Sequence, residues 1–313
     1  MTAPRFLLTG LAAELSLRPL ERALCARGLP VALVDLAHAP VDAASAPPGD
    51  GPLVLITSQH TLMTGDVYDA YTGLRSHYRS PQALKHALRP ALTVYVPHDL
   101  SEPVLPAEVP LLRLFDLYAA PDADAWWARA HVKTVVCGWV GTAGPDDPRV
   151  AEAPLDAGVL FLTAVIWLTR LGGGPFVLRA FERTLASGIA VKLPVWPGLE
   201  SMSDALAGAG VPLLAPELPT PAIARRTPLV VTTSPSSVLA EAAQAGHRPM
   251  CVLHPAGDPY FLGQLGAVDV IACRDEDFPA RVADAGRVRP PGPTFDLDAL
   301  LGAITAELEA RGG

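Results

Sequence analysis

The sequence contains few residues that could bind a metal ion or form disulfide bonds. Its 313 residues include four cysteines, which lie far apart at positions 25, 137, 251 and 273 and form no CxxC pair. Such pairs are typical of structural zinc sites, and closely placed cysteines are typical of small disulfide-rich secreted domains. We therefore expect no bound metal and no disulfide framework, and isolated thiols fit the reducing cytoplasm.

Basic residues and long apolar runs are also scarce. The chain has 24 lysines and arginines against 32 aspartates and glutamates, a formal net charge of −8, which argues against a general nucleic-acid binder. The longest apolar run, Val159 to Thr169, falls well short of the roughly 20 residues that span a membrane. The first ten residues have too short an apolar run for a signal peptide. We expect a cytoplasmic protein without a transmembrane segment.

The chain does contain many short apolar runs that alternate with segments of helical periodicity. Half of the residues are hydrophobic, and runs such as Leu53–Thr57 and Val132–Gly138 read as strands. This alternation predicts an α/β protein with doubly wound, Rossmann-like parallel sheets. A helix is predicted over Ala12–Arg27, kinked or split at Pro19, and the run VLFLTAVIW from Val159 to Trp167 is predicted to form one strand or two.

One stretch reads as a linker between two such domains. Gly141–Pro154 combines glycines, prolines and charges without apolar periodicity, which is typical of a connection. We predict an N-terminal domain over residues 1–144, a linker over 145–154 and a C-terminal domain over 155–313. The C-terminal domain as predicted includes a last helix, over Asp296–Arg311.

The most informative stretch, Val230 to Leu253, predicts a strand, a small-residue turn, a helix and a second strand. The turn holds the serines at 234, 236 and 237. The N–H groups and the positive dipole at the start of such a helix bind anions. Ser236 and Ser237 could cap the helix or donate to a phosphate. Glu241, one turn further in, could accept from a ribose hydroxyl.

This pattern resembles the donor-binding motif of GT-B-fold transferases. It is similar to the CDP-glycerol glycerophosphotransferase-like and UDP-GlcNAc 2-epimerase-like branches. There a strand runs into a serine turn, a helix that carries a glutamate, and Gly-x-x-Pro before the next strand. The matching residues here are Ser236, Ser237, Glu241, Gly246 and Pro249. The same residues also fit the two caps of a helix in any α/β domain.

The resemblance implies two Rossmann-like domains facing a cleft, with a nucleotide donor on the second domain. In that fold the last helix often packs back on the first domain. Lys192 or Arg170 would offset phosphate charge, although the family's Lys-x-His-Pro pattern lacks its histidine here. The complete predicted donor-binding set is Arg170, Gly172, Gly173, Gly174, Lys192, Ser234, Ser236, Ser237, Glu241 and His254.

The predicted catalytic residues, His98 and Asp99, follow the predicted strand Thr93–Pro97 of the first domain. A histidine there would face the cleft and act as general base on an acceptor hydroxyl. The family often has His-Gly at a comparable place, so Asp99 could form a His–Asp pair. Without a catalytic role, His98 would be a surface histidine that caps a loop.

The resemblance therefore implies a metal-independent transferase that uses no cofactor. It would move a glycosyl or related group from a nucleotide-diphosphate donor to the hydroxyl of a glycan or lipid-linked acceptor. A nucleotide-sugar epimerase, which shares the fold and the donor site, is one alternative. A non-catalytic GT-B-like protein that binds a nucleotide or a partner is the other, favoured by the missing histidine near Lys192.

Overall fold

The computed structural model of the chain divides into two compact units. Unit 1 comprises Met1–Thr142 and Pro293–Gly313, and unit 2 comprises Ala143–Gly292. Each unit is built on a six-stranded parallel sheet. The described residues are 2–10, 13–36, 38–58, 81–97, 113–120, 133–140, 147–196, 198–254, 269–288 and 295–312.

The sheet of unit 1 has the strand order β2-β1-β3-β4-β5-β6, and all of its pairs are parallel. Its strands are β1 Arg5–Gly10, β2 Val31–Asp35, β3 Leu53–Thr57, β4 Leu92–Tyr95, β5 Leu117–Ala120 and β6 Thr134–Val136. Within the described residues, three helices connect them: α1 Ala13–Ser16, α2 Arg18–Ala26 and α3 Pro81–Leu88. The split between α1 and α2 confirms the predicted effect of Pro19, which lies in the first turn of α2. Backbone N–H groups in the first turn make no hydrogen bond within the helix, so proline is tolerated there.

The central strands of unit 1 are buried on both faces. Phe6 and Leu8 of β1 pack into one core, and Leu7 between them packs into the other. A strand that is covered on both faces needs apolar residues at every position rather than at every second one. This explains why the runs that predicted β1 and β3 are continuous.

The main sheet of unit 2 has the strand order β13-β12-β10-β7-β8-β9 and is again parallel throughout. Its strands are β7 Val159–Phe161, β8 Ala190–Lys192, β9 Leu213–Leu214, β10 Val230–Thr232, β12 Met250–Val252 and β13 Ile271–Cys273. The short strands β11 His247–Arg248 and β14 Gly286–Arg287 form a separate antiparallel pair. The helices are α4 Val165–Arg170, α5 Gly173–Ala180, α6 Glu182–Ala186, α7 Glu200–Gly208, α8 Thr220–Arg226, α9 Ser237–Gln244 and α10 Phe278–Arg281.

The sequence predicted one strand or two over the run from Val159 to Trp167. The structure differs, because only the first three residues of the run form a strand. The strand β7 ends at Phe161, the chain turns at Ala164, and the rest of the run forms the start of α4. Val165 and Leu168 of this helix are buried in the core of unit 2. A buried helix and a buried strand both need continuous apolar residues, so apolar content alone could not separate them.

The last helix, α11 Leu297–Gly312, packs on unit 1. Its buried residues, Leu300, Ile304 and Leu308, join the core beneath the first sheet. Arg311 pairs with Asp116 at 2.8 Å. The predicted grouping of this helix with residues 155–313 is therefore wrong, and the helix follows the packing that the family resemblance implied.

Apart from α11, with 16 residues, the helices are short. Among the described ones, the shortest have four residues and the longest nine. Across the described ranges, no helix is both long and apolar enough to cross a membrane. The helices cover the faces of the two sheets, as the alternation of strands and helices predicts.

Candidate functional site

The strand order of unit 2 creates a crevice at the carboxyl ends of two neighbouring strands. From β7 the chain builds β8 and β9 on one side of the sheet, and then returns to form β10 on the other. The connections after β7 and β10 therefore leave in opposite directions. Open α/β sheets bind ligands at such a point, so the residues that follow β7 and β10 form the candidate site.

Three hydroxyl residues tie these two strand ends together. Thr163, which follows β7, donates its backbone N–H to Thr233 Oγ1 at 3.0 Å, and that hydroxyl donates to Thr163 O at 2.9 Å. Ser234 donates its N–H and its hydroxyl to Thr163 Oγ1 at 2.9 and 2.8 Å. Of the three, only Ser234 was predicted as a site residue. The signal for the other two was a threonine directly after each apolar run.

The backbone between β7 and α4 has an unusual conformation. Ala164 lies in the left-handed region, with φ 53° and ψ 39°, which costs a residue with a Cβ roughly 1–2 kcal/mol. Such conformations concentrate at functional sites, because the surrounding structure must hold them in place. Here the hydrogen bonds of Thr163 to the neighbouring strand end provide that constraint.

The start of α9 lies beside this network and presents a buried hydroxyl. Ser236, the residue before α9, is extended, and its side chain makes no capping hydrogen bond. The residue is 6% exposed, and its Oγ has no hydrogen-bond partner among the described residues. A buried hydroxyl without a partner costs about 1–3 kcal/mol. A polar ligand group at the start of the helix would satisfy both this hydroxyl and the first N–H groups of α9.

Two further predicted residues, Glu241 and Lys192, lie in the same unit. Glu241 is half-buried in the second turn of α9, and Lys192 is the last residue of β8. Burial lowers the pKa of the Lys192 ammonium to about 8, even though Glu241 and Glu217 favour its charged form. The Lys192 amine is therefore mostly charged at neutral pH.

His254 follows β12 at the same edge of the sheet and stands in an aromatic cluster. Its ring centroid lies 4.8 Å from that of Phe176 and 6.1 Å from that of Trp167. Burial, assisted by the charge of Arg274, lowers the pKa of His254 below its ordinary value. The imidazole is therefore neutral at pH 7 and can offer one donor and one acceptor.

The predicted glycine loop has a different setting from the one its sequence suggested. Gly172 lies between α4 and α5, and Gly173 and Gly174 are the first two residues of α5, so the three glycines do not directly follow a strand. Gly172 and Gly173 have φ values of 119° and 61°, so they form a turn that favours glycine. A Cβ on Gly174 would lie 2.5 Å from Ala205 Cβ of α7. Turn geometry and helix packing thus explain the glycines without a ligand.

Arg170 and the two predicted catalytic residues are less closely tied to the site. Arg170 is the last residue of α4 and is exposed, with roughly 9 Å of helix between it and the strand edge. His98 and Asp99 lie outside the described residues; the described chain reaches Pro97, two residues beyond β4. Within the described residues, no group of three or more His, Cys, Asp and Glu side chains is placed to hold a metal ion.

No protein-family profile matches the chain, and no curated protein matches its sequence. Solved structures do match it over nearly the whole length. The UDP-GlcNAc 2-epimerase of Methanocaldococcus jannaschii, solved with UDP-GlcNAc and UDP, is 14% identical, with a TM-score of 0.63 over 97% of this chain and 99% of the epimerase. The spinosyn forosaminyltransferase SpnP is 12% identical, with a TM-score of 0.50 over 99% of this chain and 95% of SpnP. The chain therefore has the two-domain parallel-sheet fold that these epimerases and glycosyltransferases share.

Proposed function

We propose that this chain is a GT-B-like transferase that moves a glycosyl or related group from a nucleotide-diphosphate donor to an acceptor hydroxyl, without a metal. The buried hydroxyl of Ser236 at the start of α9 carries this proposal. It lies at the crevice of a doubly wound sheet, and helix starts of this kind hold phosphate groups. Ser234 and Ser237 add hydroxyls on either side of it.

In this proposal, different residues contact different parts of the donor. The diphosphate lies against Ser236, Ser237 and the N–H groups of α9, and Glu241 accepts a hydrogen bond from the ribose. The neutral imidazole of His254 lies near the transferred group, where it can hydrogen-bond without adding charge. His98, with Asp99 beside it, is the proposed base that removes the proton of the acceptor hydroxyl. The acceptor oxygen then attacks the transferred group and displaces the nucleoside diphosphate directly, with inversion at the attacked carbon.

A second candidate is a nucleotide-sugar epimerase. The epimerase of M. jannaschii superimposes with a higher TM-score, 0.63, than the transferase SpnP, at 0.50. An epimerase would use the same donor site but would need no acceptor. The two candidates therefore hold the nucleotide in the same way but differ in the fate of the sugar. A transferase passes the sugar to an acceptor, whereas an epimerase inverts the configuration of one of its carbons.

Nucleotide binding is the first property to test. We expect UDP, CDP, GDP or ADP to raise the melting temperature, because a ligand present at 100 times its Kd stabilises the native state by about 2.7 kcal/mol. Ser236→Ala, Ser237→Ala and Glu241→Gln should each reduce this shift. Ser187→Ala is the matched control, since Ser187 donates to Thr184 O at 2.6 Å and precedes β8, at the opposite edge of the sheet. Equal shifts in all four variants would overturn the donor site.

Turnover then separates the candidates. UDP-GlcNAc incubated with the protein alone should stay unchanged if the chain is a transferase, and should convert to its 2-epimer if it is an epimerase; proton NMR distinguishes the two. Release of UDP only when an acceptor is added would support transfer, and His98→Ala should then abolish it. Nucleotide binding without either reaction, across the nucleotide sugars of the base that binds, would contradict both catalytic candidates.

A further inference from the structure

Lys192 carries a buried charge in unit 2. It is the last residue of β8 and is 6% exposed. Because side chains alternate along a strand, it shares a face with Ala190, which packs in the core beneath α8 and α9. A buried ammonium is costly unless it is bound, so its partners indicate what it contributes.

The ammonium is bound to main-chain carbonyls on two segments. Lys192 Nζ donates to Pro216 O at 2.9 Å and, with a longer contact of 3.4 Å, to Leu193 O. Pro216 lies just beyond β9, the edge strand beside β8. One of the three N–H donors of the amine therefore holds this loop against the end of β8, a second contacts the neighbouring Leu193, and the amine is directed towards the protein rather than towards a phosphate.

The carboxylates that act on the charge of the amine come from two other elements. Glu241 belongs to α9, and Glu217 follows Pro216 in the loop after β9; both favour the charged form of the amine, while burial opposes it. The amine thus binds the loop after β9, and it lies on the sheet face that packs against the helix whose start forms the candidate site. Its charge compensates that of Glu241, the proposed ribose acceptor.

We propose that Lys192 is a positioning residue of the nucleotide site: its ammonium holds the loop after β9 and the Glu241 carboxylate in the arrangement that accepts a nucleoside. This inference rests on the proposed function, because it requires a nucleotide at α9. It replaces the predicted contact of Lys192 with phosphate by an indirect role. Nucleotide affinity then depends on whether one buried amine is charged.

This dependence predicts a particular pH profile. The pKa of the Lys192 ammonium is about 8, so the charged, binding-competent fraction falls as the pH rises above that value. The apparent Kd should then increase about tenfold per pH unit, because it scales inversely with the competent fraction. Lys192→Arg keeps its charge and should bind with a flatter profile. Lys192→Met should bind weakly at every pH.

Isothermal titration calorimetry from pH 6.5 to 9.5 tests this, with the tightest binder among UDP, CDP, GDP and ADP. The titration of the nucleotide itself is common to all variants and cancels in the comparison. Circular dichroism confirms that each variant is folded. If the Kd of Lys192→Met rises with pH in parallel with that of the wild type, the inference is overturned, because the dependence then arises elsewhere.

A double-mutant cycle provides a second readout that does not require the arginine variant to fold. If Lys192 acts through Glu241, adding Lys192→Met to Glu241→Gln should weaken binding by less than it does in the wild type. Additive losses would contradict this route. Failure of all four nucleotides to bind the wild type would overturn the proposed function and this inference together. Binding whose pH profile is independent of Lys192 would overturn the inference alone.

Discussion

Each unit has a hydrogen-bonded network of polar side chains, and the two networks lie at opposite edges of similar sheets. In unit 1 they gather near the amino ends of β4 and β5, where Asp116 accepts from Thr93 N and Thr93 Oγ1, both at 2.7 Å, and pairs with Arg311 of α11. In unit 2 they gather at the carboxyl ends of β7 and β10, around Thr163 and Ser236. The first set holds a helix in place, and the second includes the buried Ser236 hydroxyl. Unit 1 has buried hydroxyls of the same kind at Thr9 and Ser58, at the carboxyl ends of β1 and β3.

The strand orders differ as well. Numbered in chain order within its own sheet, unit 1 reads 2-1-3-4-5-6, whereas unit 2 reads 3-2-1-4-5-6. The reversal point of unit 1 therefore lies between β1 and β3, where Gly10 meets Ser58: a Cβ on Gly10 would come within 2.2 Å of Ser58 Oγ. In unit 1 the backbone packs closely against the Ser58 hydroxyl, which is buried without a partner among the described residues, whereas a hydrogen-bonded turn and a helix start frame this point in unit 2.

The largest predicted effect tests whether the buried ammonium of Lys192 lowers the stability of unit 2. Lys192→Met should raise the free energy of unfolding at pH 7 by about 1–3 kcal/mol, because the cost of charging the buried amine, which its lowered pKa reflects, exceeds the roughly 1 kcal/mol lost with the hydrogen bond to Pro216 O. The pKa of Lys192 is about 8 in the folded protein against an ordinary value of 10.5. Urea unfolding, followed separately for the two units, measures the change.

The sign of the pH effect follows from these two values. Between pH 8 and 10.5 the unfolded chain binds a proton that the folded protein does not, so wild-type stability should rise with pH in this window. Below pH 8 the cost of the buried charge is fully present. The advantage of Lys192→Met should therefore shrink towards pH 10. An advantage that stays constant would show that the amine is not buried in its charged form.

The second prediction concerns the polar network of unit 1. Burial alone would raise the pKa of Asp116, but hydrogen bonds from Arg311 and Thr93 outweigh it and lower that pKa. Asp116→Ala should destabilise unit 1 by about 2 kcal/mol, since it leaves the donors of Thr93 without an acceptor. Nucleotide binding to unit 2 should not change.

The matched control is Asp298→Ala. Asp298 belongs to α11, as Arg311 does, and forms a surface ion pair with Arg27; its side chain is 72% exposed. Exposed pairs contribute about 0–1 kcal/mol, so its effect on urea unfolding should be small. If the two variants were equally stable, Asp116 would have no special role in holding α11. The contrast between the two units would then lose its basis.

The smallest predicted effect compares two residues with positive φ that are not glycine. Arg89 (φ 45°) follows α3 in unit 1, and Ala164 (φ 53°) precedes α4 in unit 2. Replacing either with glycine should stabilise the protein by roughly 0.5–1 kcal/mol, because glycine adopts this region without steric cost. Only Ala164→Gly should also change nucleotide affinity. Calorimetry that finds both variants unchanged in affinity would argue against a functional role for the turn.

Much of the fold could be predicted because local patterns match the tertiary environment. The continuous apolar run at Leu53–Thr57 became β3 with those bounds, and the small-residue turn before α9 marked the start of that helix. Other elements could not be predicted. The strands β11 and β14 have two residues each, too few for any periodicity, and the helix in the run after Val159 shares its apolar content with a strand.

The candidate site shows the same division. Ser236, Ser237 and Glu241 could be selected from sequence because their proposed roles depend on spacing along one helix. Thr163 could not, because its partners, Thr233 and Ser234, are 70 and 71 residues away and meet it only through the pairing of β7 with β10.

By itself, the sequence determined that the chain alternates strands and helices, that its cores are large, and where a helix with a serine-rich start lies. These properties depend on neighbours within a few turns of chain. Only the tertiary structure decided the two strand orders, the return of α11 to unit 1, and the direction of the Lys192 amine towards Pro216 O. Each of these depends on contacts between distant segments, whose free energy arises from burial and hydrogen bonding in the assembled core rather than from local preference.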